Sequence, residues 1–241
     1  MATVEEHYDR LLADVYSWMY GGWDAALARY TEFFAARDIA PRESARAVDL
    51  GAGCGFQAIP LARLGFSVTA IDRDRKLLAE LQAHAGGESI ETICADLVDF
   101  RRHAQQPVEL VVCMVDTLLH LASQDVVERV FDDICAALEP GGTFIATFRD
   151  FSVAAEELDR FISVRSDEHT IFTCFLEFEP TTVKVHDLVY RCIEGDWKFA
   201  KSYYRKLRLS TAWVVSTLRA VGFHKVETGL DRALVVVTAT K

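Results

Sequence analysis

The chain has 241 residues, 51% hydrophobic and 26% charged, with a formal net charge of −10. That composition is enough to build a core and excludes a disordered chain. The length suits one large α/β domain with an insertion, or two small domains. The acidic balance argues against broad nucleic-acid binding, which needs a basic surface to neutralise phosphates.

No apolar run reaches the roughly 18 residues of a membrane span; the longest, Leu110 to Ala122, is interrupted by Asp116 and His120. No basic-then-apolar leader is visible, and the six cysteines form no C-x-x-C pair. A cytoplasmic protein with reduced thiols is expected. The seven histidines show no metal-ligand spacing, so no metal is expected.

In chain order, Tyr8, Leu11, Leu12, Val15 and Trp18 recur at helical spacing. Gly21-Gly22 break the pattern before a second helical stretch, Trp23–Ala36. Residues 1–40 are read as a helical lid segment, and 41–241 as the main domain, with Pro41 at its entry. Apolar runs then alternate with helical ones: strand 46–51, helix 56–64, strand 67–72, helix 74–84, strands 90–95 and 109–115, helix 123–138 and strand 142–148. This alternation predicts a mostly parallel sheet covered on both faces, with ligand beyond the carboxyl ends of its strands.

After Asp150, three runs (Ile171–Phe178, Val183–Arg191 and Trp197–Leu207) are joined by short turns and predict an antiparallel meander. They form an insertion, 151–208, expected to cap the substrate side, and its exposed edge offers a homodimer contact. Lys198, Lys201, Arg205, Lys206 and Arg208 are read as a solvated strand face. Helix Thr211–Ala220 and strands 223–228 and 233–239 close the chain.

The segment Ala47–Gln57 reads as a buried strand, a glycine turn and a helix start, and Val68–Asp72 as a second strand ending on a carboxylate. Alternate glycines let the backbone turn sharply and approach a ligand. Asp72, 21 positions after Gly51, is placed to accept hydrogen bonds from two ribose hydroxyls. A dinucleotide fold uses the same plan, but its fingerprint has Gly or Ala where this chain has Phe56. The pattern here is D-x-G-x-G-x-G, built on Asp49, Gly51, Gly53 and Gly55.

This pattern resembles motif I of the class I S-adenosylmethionine-dependent methyltransferases of small-molecule type. Ala95-Asp96-Leu97, Leu110–Asp116 and Leu138–Ala146 resemble three further motifs in the family's order. The resemblance implies a Rossmann-like, mostly parallel seven-stranded sheet with helices on both faces and a reversed last strand. It implies that Asp49, Gly51, Ala52, Gly53 and Gly55 hold the methionine part of S-adenosylmethionine, Asp72 the ribose, and Asp96 and Leu97 the adenine, with Arg73 and Met114 also at the cofactor.

The acceptor is expected to be a small molecule methylated on N or O. The rival readings are an NAD(P)-dependent oxidoreductase and a non-catalytic binder of S-adenosylmethionine. Asp116 and His120 lie where the acceptor approaches. Asp116 is read as a charge stabiliser, or alternatively as an N-cap; His120 is read as a base, or as a structural histidine. Tyr20 is the aromatic expected in the pocket. Arg149 is expected to bind substrate, or to pair with Asp150 or the inserted sheet. His186 and Tyr190 share one face of the meander and are further candidates for reaching the pocket.

Overall fold

The computed structural model describes residues 11, 12 and 15–241; Tyr8 lies outside them. Two helices come first, α1 (Tyr16–Met19) and α2 (Trp23–Ala35), separated by Gly21 and Gly22, both with positive φ. Then follow β1 (Arg46–Leu50), α3 (Ala58–Arg63), β2 (Ser67–Asp72), α4 (Arg75–His84) and β3 (Ile90–Cys94). A 3-10 turn, Leu97–Arg102, leads to β4 (Val108–Cys113), α5 (Gln124–Ala137) and β5 (Leu138–Phe148). These five strands and their helices lie within two residues of the boundaries expected from periodicity, except that β5 begins four residues early, because Pro140-Gly141-Gly142 forms an irregularity within the strand.

The second half contains β6 (Phe161–Ser166), β7 (Thr170–Phe178), β8 (Thr182–Ile193), β9 (Asp196–Leu207), α6 (Thr211–Ala220), β10 (Lys225–Asp231) and β11 (Leu234–Thr240). The main sheet has the order β10-β11-β5-β4-β1-β2-β3. Pairs from β3 to β5 are parallel, whereas β11 runs antiparallel to both of its neighbours. The last strand is therefore reversed. The insertion is a four-stranded antiparallel sheet, β6-β7-β8-β9. β6 was not expected from the sequence, because its inward alternation consists of Ile162 and Val164 alone in a short, otherwise exposed run.

Strand alternation divides the core in two. Val48, Leu50, Val111 and Cys113 face a layer containing α5, α6 and the inner face of the insertion. Ala47, Val68, Ala70, Leu110 and Val112 face α2, α3 and α4. No helix among the described residues is long and apolar enough to cross a membrane.

The entry to β1 is held by one buried carboxylate. Glu109 accepts the backbone N–H groups of Arg42, Glu43, Ser44 and Ala45 at 2.5–3.1 Å. Burial alone would raise its pKa, but the four donors outweigh this and hold it below the ordinary 4.5. Glu109→Ala is expected to cost about 2 kcal/mol in urea unfolding at neutral pH. A depressed folded-state pKa contributes stability above the unfolded value that is lost in acid. The gap between wild type and variant should therefore shrink as pH falls below 4.5; a gap that widened in acid would contradict the assignment.

Candidate functional site

The glycine turn is tied to the end of β2. Gly51 and Ala52 donate their N–H groups to the Ile71 carbonyl at 2.8 and 3.0 Å. Gly53 N–H donates to Asp72 Oδ2, and Asp74 N–H to Asp72 Oδ1, each at 2.8 Å. Asp74 then caps α4 by accepting from Lys76 and Leu77. Two of the glycines are required by packing. A Cβ on Gly51 would lie 2.4 Å from Thr117 Cγ2, and one on Gly55 2.5 Å from Leu81 Cγ; both positions have positive φ.

Beyond the turn opens a cavity of about 400 Å³, within the size range of small-molecule sites. Of the residues expected to hold cofactor, Gly51, Gly53, Asp72, Arg73, Asp96, Leu97 and Met114 line it. Asp49, Ala52 and Gly55 do not line it: Asp49 and Ala52 are buried behind the turn, and Gly55 packs on Leu81. Tyr16, Gln57 and Thr117 line the cavity without having been singled out by sequence. Asp96 accepts the Val98 N–H at 3.1 Å, with Arg73 3.5 Å from its other oxygen.

The cavity's charge selects its ligand. Asp72, Asp74 and Asp96 line it, with Arg73 as the single arginine or lysine of the lining among the described residues. Asp49 lies behind, fully buried, and neither of its oxygens has a hydrogen-bond partner among the described residues. Burial first, then the nearby Asp72, pushes its carboxyl up to about 8. Burial likewise raises Asp72, against the N–H donors that pull it down. A cationic ligand suits this surroundings, and a pyrophosphate would bring negative charge to it. The Gly53 N–H, moreover, is already donated to Asp72. The residues therefore fit S-adenosylmethionine, whose sulfonium and ammonium are positive, better than a dinucleotide.

A second, inner cavity of about 110 Å³ lies between β4, β5 and the antiparallel sheet. Tyr16, Val115 and His120 line both cavities and form the wall where they meet. Asp116, Tyr20 and Arg149 line the inner one. Val115 and Asp116 both have left-handed backbones, φ 54° and 66°, an uncommon conformation for a β-branched residue such as valine. Thr147 holds them, accepting the Val115 N–H on its hydroxyl and the Asp116 N–H on its carbonyl.

Asp116 precedes the 3-10 turn Thr117–His120, but its side chain does not cap that turn. Its carboxylate accepts the Arg149 backbone N–H at 2.7 Å, the Arg149 guanidinium, and Lys206 Nζ at 2.7 Å. Burial would raise its pKa, but the Lys206 and Arg149 charges drive it far below the ordinary carboxylate value. A carboxylate so engaged is a poor base, and it serves instead as an anchor.

Two expectations are corrected. Arg149 pairs with Asp116, not with Asp150 or the inserted sheet. Lys206 is buried, not part of a solvated face, because residues 204 and 206 of β9 point inward. Alternation also removes His186 and Tyr190 from the pocket. On β8 the inward residues are Val183, Val185, Asp187 and Val189, while His186 bonds Glu177 at 2.9 Å and Tyr190 stacks on Phe199 at the outer face.

The N-terminal aromatics gather on Phe56, the residue that replaces the third glycine of the dinucleotide pattern. Tyr16, Tyr20 and Trp23 lie 4.9–6.1 Å from its ring. Glu80 of α4 accepts from Ser17 and from the Trp23 indole. The same helix thus braces the glycine turn through Leu81 and the N-terminal segment through Glu80.

Comparison with known proteins agrees with this geometry. A family described as "Methyltransferase domain" matches residues 47–142. A ubiquinone biosynthesis O-methyltransferase of Methylobacterium nodulans is 34% identical over 125 residues, covering 47% of each chain. A glycine/sarcosine N-methyltransferase of Aphanothece halophytica is 23% identical over 154 residues, covering 63% of this chain and 56% of the relative. The chain thus spans about half the length of the curated relatives it matches. Among solved structures, the CcbJ methyltransferase from Streptomyces caelestis superposes with a TM-score of 0.73 at 22% identity, over 89% of this chain and 94% of that one. At that identity the likeness concerns the fold.

Proposed function

We propose that this chain, which belongs to the class I S-adenosylmethionine-dependent methyltransferases, transfers a methyl group from S-adenosylmethionine to nitrogen or oxygen of a small-molecule acceptor in the cytoplasm. The observation that carries the reading is the carboxylate-lined cavity, with Asp72 clamped to the glycine turn, sharing a wall of Tyr16, Val115 and His120 with a second, inner cavity. One cavity suits the cofactor and the other the acceptor.

Asp72 and Asp96 grip the nucleoside, and the glycine turn, backed by the buried Asp49, orients the amino-acid end. The cofactor supplies a methyl group already activated by the sulfonium charge. The chain supplies alignment, which in good intramolecular reactions accounts for about 7–11 kcal/mol. Where the acceptor must lose a proton, His120 takes it, a reading supported by its lining both cavities. Tyr20 and Arg149 contact the acceptor; the Arg149 side chain keeps 40% of its surface accessible beside the inner cavity while bonding Asp116. The N-terminal segment serves as a lid and the antiparallel sheet as the substrate cap.

Incubation with methyl-labelled S-adenosylmethionine and a panel of small amines, acids and phenols tests this. Label in an acceptor, with an equal amount of S-adenosylhomocysteine, is the expected result. Tight cofactor binding with no transfer to any acceptor would favour a non-catalytic binder.

A further inference from the structure

The short helix α1 has little of its own to hold it. It has four residues, none of them buried, and a helix that short is not stable by itself. On one side, Leu11, Leu12 and Val15 pack into the layer that contains α5, α6 and the insertion. On the other, Ala26 and Tyr30 of α2 pack into the layer of α3 and α4. α1 is the crossing between the two layers, and three consecutive side chains fix it there. Tyr16 lies along the Phe56 ring and lines both cavities. Ser17 donates to Glu80 Oε1 at 2.7 Å. Trp18 donates to Asp167 Oδ2, between β6 and β7, at 2.5 Å.

Glu80 does more than hold Ser17. The same oxygen accepts the Trp23 indole at 2.8 Å, so one carboxylate joins residues on either side of the Gly21-Gly22 break. The backbone is most permissive at those two glycines, both with positive φ, and the carboxylate bridges them. Trp23 also stacks on His84, one turn further along α4, with ring centres 3.8 Å apart. At its start α4 is capped by Asp74, whose N–H bonds Asp72. One helix therefore connects the Asp72 end of the cofactor cavity to the N-terminal segment that carries Tyr16.

We propose that Glu80 is a positioning residue: through Ser17 and Trp23 it holds Tyr16 against bound cofactor, and cofactor is retained less tightly without it. This rests on the methyltransferase reading. Glu80 is outside the lining of the cofactor cavity, so it acts through α1 and not by touching the ligand.

The test is calorimetric titration of S-adenosylhomocysteine into wild type and variants. Glu80→Ala is expected to weaken binding about 10- to 100-fold, the range for a hydrogen bond to a charged group. Glu80→Gln keeps an acceptor oxygen without the charge and should stay within about threefold of wild type. Tyr16→Ala removes part of the wall itself and should weaken binding about as much as Glu80→Ala. Glu80→Ala added to Tyr16→Ala should then cost less than about threefold more, because residues acting through one contact are not additive. Ser17→Ala with Trp23→Phe removes both donors, leaves Glu80 in place, and should reproduce the Glu80→Ala loss. That pair decides the matter if Glu80→Ala does not fold.

Unchanged binding in Glu80→Ala, or in the variant lacking both donors, would overturn the proposal. So would full additivity with Tyr16→Ala, which would make Glu80 act apart from Tyr16. Binding by Glu80→Gln as weak as by Glu80→Ala would also overturn it, since the charge and not the bonds would then be the cause. Failure of S-adenosylhomocysteine to bind wild type would instead overturn the methyltransferase reading beneath it.

Discussion

Asp72→Ala is expected to weaken S-adenosylhomocysteine binding by at least 100-fold. The carboxylate stands at the end of β2 with one N–H donor on each oxygen, Asp74 on Oδ1 and Gly53 on Oδ2. Each oxygen keeps acceptor capacity toward the cavity, where two ribose hydroxyls fit. Two hydrogen bonds to a charged group, each worth about 1.5–3 kcal/mol, give a loss of this size or more. The Gly53 N–H loses its partner as well, so the turn that shapes the cavity loosens. Asp72→Asn, which keeps an acceptor for Gly53, should fall between wild type and alanine. Unchanged affinity in the alanine variant, by calorimetry, would remove the ribose assignment.

Asp116→Ala should be the most destabilising single change at the inner cavity. It leaves Lys206, whose side chain is 8% exposed, and Arg149, 40% exposed, without their shared carboxylate. Breaking a buried pair by removing one partner typically costs about 3–5 kcal/mol. Most of that should come from Lys206, since solvent screens the more exposed Arg149. Asp116→Leu combined with Lys206→Met removes the stranded charge and should recover much of the loss in urea unfolding. A double variant no more stable than Asp116→Ala would show that the pairing is not the source.

The pH dependence has a definite sign. The folded-state pKa of Asp116 is depressed, so its contribution is complete above the unfolded value near 3.8 and lost as pH falls below it. Because this anchor joins β4 and β5 to β9, acid should loosen the antiparallel sheet from the main sheet.

The main sheet was legible because its signals are local. A buried strand, a glycine turn and a helix are set by neighbouring residues, so β1 to β5 and their helices came out nearly in place. The lining of the cavity beside the glycine turn followed in part, since Asp72, Asp96 and Met114 sit at strand ends or just beyond them. The inner cavity was not legible in the same way. Lys206 belongs to a basic run in sequence, and only the pairing of β9 with β8 shows that it points inward. Alternation from Val183 to Val189 carried the signal for Asp187, but choosing between its inward face and the outer face of His186 needed to know which side packs on the core. The Asp116 anchor joins residues 90 positions apart, and no local pattern marks it. Asp49 shows a different limit: sequence places it in the motif, whereas its orphaned burial behind the turn appears only in three dimensions.

The central claim is that the glycine turn serves S-adenosylmethionine and not a dinucleotide. Isothermal titration of the purified protein with S-adenosylhomocysteine and, separately, with NAD tests it most directly. Micromolar binding of S-adenosylhomocysteine with no heat from NAD is the predicted result. NAD binding without S-adenosylhomocysteine binding would contradict the account and restore the oxidoreductase reading of the turn.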